Sequence, residues 1–148
     1  MSLKDKINGD LKTAMKAGDK VRLETVRSIR ALILEFEKSG SGKELDDKGE
    51  IQMLTTAAKK RKEAAEQFRK GNRIELAEKE EAELAIIQEY LPKQLTAEEL
   101  EIEIKAIAEE LGVSDKSGFA KLMPESAKRL KGKADGRAIK EMVEKILS

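Results

Sequence analysis

The chain has 148 residues, of which 40% are charged and 3% aromatic, and its formal net charge is +1. It contains neither His nor Cys, which excludes imidazole-based catalysis, disulfide bonds and thiolate metal sites. Helix-forming Ala, Glu, Lys and Leu dominate and β-branched runs are missing, so the chain is predicted to be all-α. No apolar stretch is long enough to span a membrane, and the first residues lack the apolar core of a signal peptide. We therefore expect a cytoplasmic protein without membrane contact.

The first two helices are predicted from capping residues and apolar spacing. Ser2 can cap a helix that ends at Gly18, and Asp19 can cap the next. The second helix has apolar residues on more than one side, which favours a central position in the fold. The segment Ser39–Gly42 follows it and is predicted to be a flexible connector.

A long helical hairpin is predicted over residues 47–91. Its first helix begins at Asp46 or Asp47 and runs to about Lys70. Gly71 is expected to end this helix, and the following Asn72 is expected to cap a fourth helix that stops before Pro92. The short connection makes the two helices antiparallel neighbours.

The segment 91–95 is the best candidate for a domain boundary, because a Pro-containing stretch there separates two helical patterns. We expect an N-terminal bundle of about four helices over residues 1–94 and a smaller three-helix subdomain over residues 95–148. A capping box, Thr96–Glu99, opens the fifth helix. The sixth is predicted to start near Ser117 and to kink or break at Pro124. Asp135 is expected to cap the last helix.

Charge is arranged in blocks along the chain. Residues 56–73 carry seven basic and two acidic side chains, whereas residues 74–90 carry one basic and six acidic. These blocks fall on the two hairpin helices, so mutual ion pairing is the favoured interpretation of Lys59–Lys62, and a second nucleic-acid contact is the alternative. The carboxylates of Glu78–Glu83 are expected to lie on the surface or in salt bridges rather than in a metal site.

The segment Lys131–Arg137 has two interpretations. It places Lys131, Lys133 and Arg137 around a Gly-containing turn at a predicted helix N-terminus, where phosphate can bind. The alternative is a capped loop with solvated charges, because Asp135 sits where an anion would bind. Residue types and spacing alone favour the capped loop.

Several segments together resemble the YqeY family. The shared segments are Arg61–Phe68, Gly71–Arg73, Glu78–Glu80 and Tyr90-Leu-Pro-Lys-Gln-Leu95. In addition, Gly132-Lys-Ala-Asp-Gly136, followed by an amphipathic helix, is similar to the GatB/YqeY domain signature. The resemblance covers essentially the whole chain. It implies an N-terminal helical bundle and a C-terminal three-helix subdomain similar to the tail of the B subunit of glutamine-dependent tRNA amidotransferase.

The resemblance also implies a function. The amidotransferase tail helps to hold tRNA, while the chemistry belongs to a separate catalytic body that this chain lacks. We therefore expect a tRNA-binding, amidotransferase-associated module, related to carbon-nitrogen ligases with glutamine as amido-N-donor. No catalytic residue, cofactor or metal ligand is assigned. The best candidates for tRNA contact are Lys131, Lys133 and Arg137, with Lys128 and Arg129 as weaker ones. The expected partners are tRNA and amidotransferase subunits.

A protein–protein adaptor is the alternative function. It would use the exposed 47–91 hairpin to dock a partner protein, with no requirement for RNA.

Overall fold

The computed structural model describes residues 2–40 and 45–148, and this part of the chain is all-α, as predicted. The predicted connector Ser39–Gly42 lies partly outside these residues. The helices are α1 (Leu3–Ala17), α2 (Lys20–Lys38), α3 (Asp47–Lys70), α4 (Ile74–Gln88), α5 (Ala97–Leu111), α6 (Phe119–Arg129) and α7 (Gly136–Leu147). They form two compact units that divide between Leu91 and Pro92. Within the described ranges, no helix is both long and apolar enough to cross a bilayer.

The predicted ends of α1 and the start of α2 are confirmed. The Ser2 hydroxyl accepts a hydrogen bond from the backbone N–H of Asp5 at 3.1 Å. Gly18 ends α1 in the left-handed conformation, with φ of 68°. The Asp19 carboxylate then accepts from the N–H of Arg22 at 3.1 Å and starts α2. These caps satisfy backbone donors that a helix end leaves without partners.

The first unit is built around α2, which packs against α1, α3 and α4. Its core contains fully buried aliphatic side chains from all four helices: Ile7, Val26, Ile29, Leu54 and Ile87. The central position predicted for the second helix is therefore confirmed. Tyr90 closes one end of this core, where its hydroxyl donates to the carboxylate of Asp10. Burial, followed by this hydrogen bond, raises the pKa of the Tyr90 hydroxyl.

The antiparallel α3–α4 hairpin is present, but the predicted role of Asn72 is wrong. Asn72 does not cap α4, because Arg73 precedes that helix and makes no capping side-chain bond. Instead, Asn72 adopts a left-handed conformation with φ of 58°. The N–H of Arg73 donates to the carbonyl of Phe68 at 2.8 Å, and the N–H of Asn72 donates to that of Arg69 at 3.1 Å. This pattern terminates α3, and Asn is among the few side chains that tolerate this backbone conformation.

The second unit is a bundle of α5, α6 and α7. The predicted capping box is confirmed, since Thr96 and Glu99 bond reciprocally to each other's backbone N–H groups at 3.1 Å. One core joins the three helices, with fully or almost fully buried side chains at Ile104, Leu122, Ile139, Val143 and Leu147. The three residues of α7 recur at four-residue spacing, as expected for a helix face turned toward a shared core.

Pro124 does not break the sixth helix. A 3-10 turn over Lys116–Gly118 leads into α6, which continues from Phe119 to Arg129 through the proline. Proline removes one backbone N–H and leaves the carbonyl four residues earlier, that of Ala120, without its helical donor. Both Ala120 and Pro124 are exposed, so water can bond this carbonyl. The proline therefore lies on the solvent-exposed side of α6.

Candidate nucleic-acid interface

A tight turn joins α6 to α7 and displays lysines on either side of a buried glycine. The N–H of Lys133 donates to the carbonyl of Leu130 at 2.9 Å. Gly132 is buried and has φ of 82°, a conformation that favours glycine. Leu130 is also buried, while Lys131 and Lys133 are exposed. This alternation directs both lysine side chains into solvent.

The turn is held in place by the segment that precedes α5. The Gln94 side-chain amide donates to the carbonyl of Gly132 at 2.6 Å and to that of Pro92 at 2.9 Å. Next to it, the N–H of Leu95 donates to the carbonyl of Lys133 at 2.8 Å. The two most specific segments of the sequence resemblance therefore meet in space. Gln94 lies in the segment Tyr90–Leu95 of the family resemblance but had no predicted role, because a contact across 38 positions leaves no local signal.

All five predicted contact residues are exposed on or next to this turn, and four of them form its basic surface. We define the basic turn as Lys128, Lys131, Lys133 and Arg137. Lys128 lies in the last turn of α6, and Arg137 lies at the start of α7. Among the described residues, no carboxylate forms a salt bridge with the ammonium groups of Lys131 or Lys133, so their positive charge remains available to an anion.

Arg129, the fifth predicted residue, is held by two carboxylates. Its guanidinium donates to both oxygens of Glu110 at 2.6 and 3.0 Å, and its Nε donates to Glu125 at 2.8 Å. These hydrogen bonds raise the pKa of Arg129 and lower that of Glu110. Arg129 therefore links α5 to α6, and a phosphate would have to displace Glu110 to bind it.

The N-terminus of α7 is occupied by its own cap. The Asp135 carboxylate accepts from the N–H of Ala138 at 2.8 Å, as the sequence predicts. A carboxylate at this point uses the backbone donor and the favourable helix dipole that would otherwise attract phosphate. Anion binding here must therefore rely on the basic side chains rather than on the helix end.

Arg61 of the Lys59–Lys62 run and Arg69 further along α3 pair with α4, as the favoured sequence interpretation predicts for this face. The Nε of Arg61 lies 3.7 Å from Glu83, and its Nη2 donates to the Ser28 hydroxyl at 3.2 Å. Arg69 pairs with Glu81 nearer the end of the hairpin. Desolvation by burial, followed by the nearby charge of Glu80, raises the pKa of Glu83. These arginines therefore stabilise the hairpin.

The described residues 2–40 and 45–148 contain no group of three or more acidic side chains placed to hold a metal ion. The α4 carboxylates Glu81 and Glu83 pair with arginines of α3. Lys79 of α4 pairs with Glu24 of α2 at 3.6 Å. The predicted salt-bridging role is confirmed for Glu81 and Glu83.

Comparison with known proteins identifies relatives of this chain. A model of the Yqey-like protein family matches residues 4–147. Three fungal relatives are named Altered inheritance of mitochondria protein 41, mitochondrial. The Lachancea thermotolerans protein is 38% identical over 96 residues, which cover 65% of this chain and 51% of the relative. The Saccharomyces cerevisiae protein (strain YJM789) is 31% identical over 97 residues, covering 66% and 52%. The Pyrenophora tritici-repentis protein is 28% identical over 145 residues, covering 96% and 79%.

These names contradict the predicted cytoplasmic location, because all three relatives are called mitochondrial proteins. The absence of Cys could not separate the cytosol from another compartment in which disulfides are not required. The match spans about half the length of the first two relatives, 51% and 52%. The family model, in contrast, covers nearly the whole sequence, and the chain therefore belongs to the Yqey-like protein family.

Proposed function

We propose that this protein is a tRNA-binding module that works with a glutamine-dependent tRNA amidotransferase. The observation that supports this best is the pair Lys131 and Lys133, exposed on a turn whose backbone Gln94 and Leu95 hold in place. A fixed turn lowers the conformational entropy that the lysines would lose on binding phosphate.

The chemistry of the basic turn suits the RNA backbone better than RNA bases. Lys128, Lys131, Lys133 and Arg137 supply positive charge that neutralises phosphates. The chain has no Trp and only three Phe, so it lacks the aromatic platforms on which single-stranded bases stack. Recognition would then depend on the shape and backbone of folded RNA, with strong dependence on salt.

Binding of tRNA by the purified full chain tests this proposal. We expect the logarithm of the affinity to fall linearly as the logarithm of the salt concentration rises. The slope should be about −1 for each phosphate that the protein neutralises. A DNA duplex of similar length is the control, since it carries phosphates but not A-form geometry or 2′-hydroxyls. Absence of tRNA binding at low salt, or equal affinity for the DNA duplex, would contradict the proposal.

The proposed association with an amidotransferase has its own test. The purified chain is expected to produce no amidated tRNA from glutamine, and to bind an amidotransferase–tRNA complex more tightly than tRNA alone. Turnover by the chain itself would show that it carries the catalytic groups that we do not assign.

The protein–protein adaptor is the second candidate, and the α3–α4 hairpin supplies an observation in its favour. Ile74 and Leu76, at the start of α4, are 40% and 42% exposed. Apolar side chains at such a position can anchor a partner protein. A pull-down from nuclease-treated lysate tests this function. A partner protein that stays bound to the wild type after nuclease treatment, and is lost in the Ile74→Ser/Leu76→Ser variant, would favour it. A partner lost with the RNA would contradict it.

A further inference from the structure

The side of α5 that faces away from the core combines apolar and acidic residues. Ile102 is 68% exposed, the most exposed large apolar side chain among the described residues. Ala106 lies one turn further along and is also exposed. Residues spaced by three or four positions share a side of a helix. We define the α5 face as these two residues together with the exposed carboxylates Glu98, Glu103 and Glu109.

The carboxylates of the α5 face are not neutralised within the unit. The neighbouring Glu101 pairs with Lys105 at 2.9 Å, and Glu110 pairs with Arg129 at 2.6 Å. Across residues 2–40 and 45–148, no cation forms a salt bridge with Glu98, Glu103 or Glu109. Glu101 and Glu110 are therefore neutralised by ion pairs, whereas Glu98, Glu103 and Glu109 keep their negative charge.

In the α3–α4 hairpin of the first unit, in contrast, acidic side chains are paired with basic ones of a neighbouring helix. There, the acidic α4 meets the basic α3, and Arg61 pairs with Glu83 across the two helices. In the second unit, α5 packs against α6 and α7 mainly through apolar side chains, and Glu110 pairs with Arg129 of α6. Glu98, Glu103 and Glu109 are left to solvent. Charge in the hairpin stabilises the fold, whereas charge on the α5 face is available for an external partner.

We infer that the α5 face is a docking surface for a basic, amphipathic segment of a partner protein. Lysine or arginine side chains of the partner would complement the three carboxylates, and an apolar side chain would cover Ile102. The same negative charge repels RNA phosphates, so this surface differs in ligand class from the basic turn. The inference goes beyond the proposed tRNA function and does not depend on it.

A second copy of this chain is a poorer occupant. A two-fold symmetric dimer places the same surface of each copy against the other. Two α5 faces would then bring the carboxylates of one copy close to those of the other. Like charges in contact oppose association, whereas a basic partner is attracted.

A synthetic helical peptide with Leu and Lys on one face is a direct probe. Amide chemical shifts of the full chain would be followed as this peptide is added. We expect the shifts to concentrate at residues 98–109.

The Ile102→Ser variant should weaken binding by about tenfold, the effect of losing most of one buried apolar side chain. Ile102 is exposed, so this substitution leaves the fold intact. Met15→Ser, at an exposed large apolar residue of α1 (56% exposed), is the matched control and should bind like the wild type.

Charge is tested separately with the Glu98→Gln/Glu103→Gln/Glu109→Gln variant. Its affinity for the peptide should be lower and should depend less on salt than that of the wild type. The Glu75→Gln/Glu78→Gln variant, with two exposed carboxylates on α4 replaced, is the control and should keep both properties.

Three outcomes would overturn the inference. The first is binding that does not use Ile102, seen as peptide-induced shifts outside α5 or as equal binding by wild type and Ile102→Ser. The second is equal binding of a peptide in which Ser replaces every Leu, since charge alone would then explain the contact. The third is concentration-dependent dimerisation of the wild type that Ile102→Ser abolishes, because a second copy would then occupy the face.

Discussion

The side-chain amide of Gln94 donates a hydrogen bond to the carbonyl of Gly132 at 2.6 Å. This bond joins the segment before α5 to the turn that carries Lys131 and Lys133. It also ties together two sequence segments that are far apart along the chain. The position of the basic turn therefore depends on a residue outside it, and this dependence can be tested by substitution.

Replacement of Gln94 by Leu should destabilise the protein. The variant keeps a side chain of similar size but loses the donors to the carbonyls of Gly132 and Pro92. Leaving such carbonyls unpaired costs roughly 1–3 kcal/mol in the free energy of unfolding. Urea denaturation would measure the loss. Gln67→Leu, at an exposed glutamine of α3, is the matched control, and equal stability of the two variants would contradict this role for Gln94.

Gly118→Ala should destabilise the second unit through a steric clash. A Cβ at this position would lie 2.5 Å from the Cβ of Val113, closer than real side-chain atoms approach. Relieving such overpacking costs about 1–3 kcal/mol in unfolding free energy. Gly136→Ala is the control, because an added Cβ there meets nothing within 4 Å. Thermal unfolding of both variants would show the difference, and a Gly118→Ala variant as stable as the control would disprove the clash.

Asn72 should accept Gly but not Ala. Its φ of 58° lies in the left-handed region, where a Cβ-bearing residue other than Asn or Asp loses roughly 1–2 kcal/mol. We expect Asn72→Ala to lower the free energy of unfolding by about 1 kcal/mol, while Asn72→Gly changes it by a few tenths. Denaturant titrations would compare them. Equal stability of the two variants would indicate that the backbone relaxes at this position.

Arg129→Gln should change the acid titration of Glu110. Arg129 holds the pKa of Glu110 below its ordinary value, first through hydrogen bonds and then through charge. A carboxyl whose pKa is lower in the folded state stabilises the fold above its unfolded pKa. That contribution disappears as pH falls through the folded pKa. In the variant, NMR titration should show the Glu110 pKa rising toward the ordinary value. An unchanged Glu110 titration would contradict the pairing.

Much of the fold could be predicted because helix ends are encoded locally. Ser2, Asp19, Thr96 and Asp135 each cap the helix that their position in the sequence indicates. Asn72 was misinterpreted because a polar residue after Gly71 can either end one helix or start the next, and local sequence does not separate these roles. Of the two outcomes predicted at Pro124, the break is wrong, because α6 continues through the proline.

The candidate site was only partly predictable, because some of its contacts join residues that are far apart in the sequence. Charge and turn residues located Lys131 and Lys133, but could not indicate that Arg129 would be held by Glu110, a residue from another helix. The contact of Gln94 with Gly132 also joins distant parts of the sequence. Contacts of this kind arise from packing and leave no periodic signal in the sequence.

The central claim is that the basic turn binds RNA phosphates, and the salt dependence of tRNA affinity tests it most directly. The Lys131→Gln/Lys133→Gln variant removes two exposed positive charges from the turn. The Lys116→Gln/Lys121→Gln variant removes two exposed lysines near the other end of α6. A plot of log affinity against log salt has a negative slope. We predict that this slope is shallower by about two in the first variant, while the control keeps the wild-type slope. An unchanged slope in the first variant, or an equal loss in both, would contradict the claim.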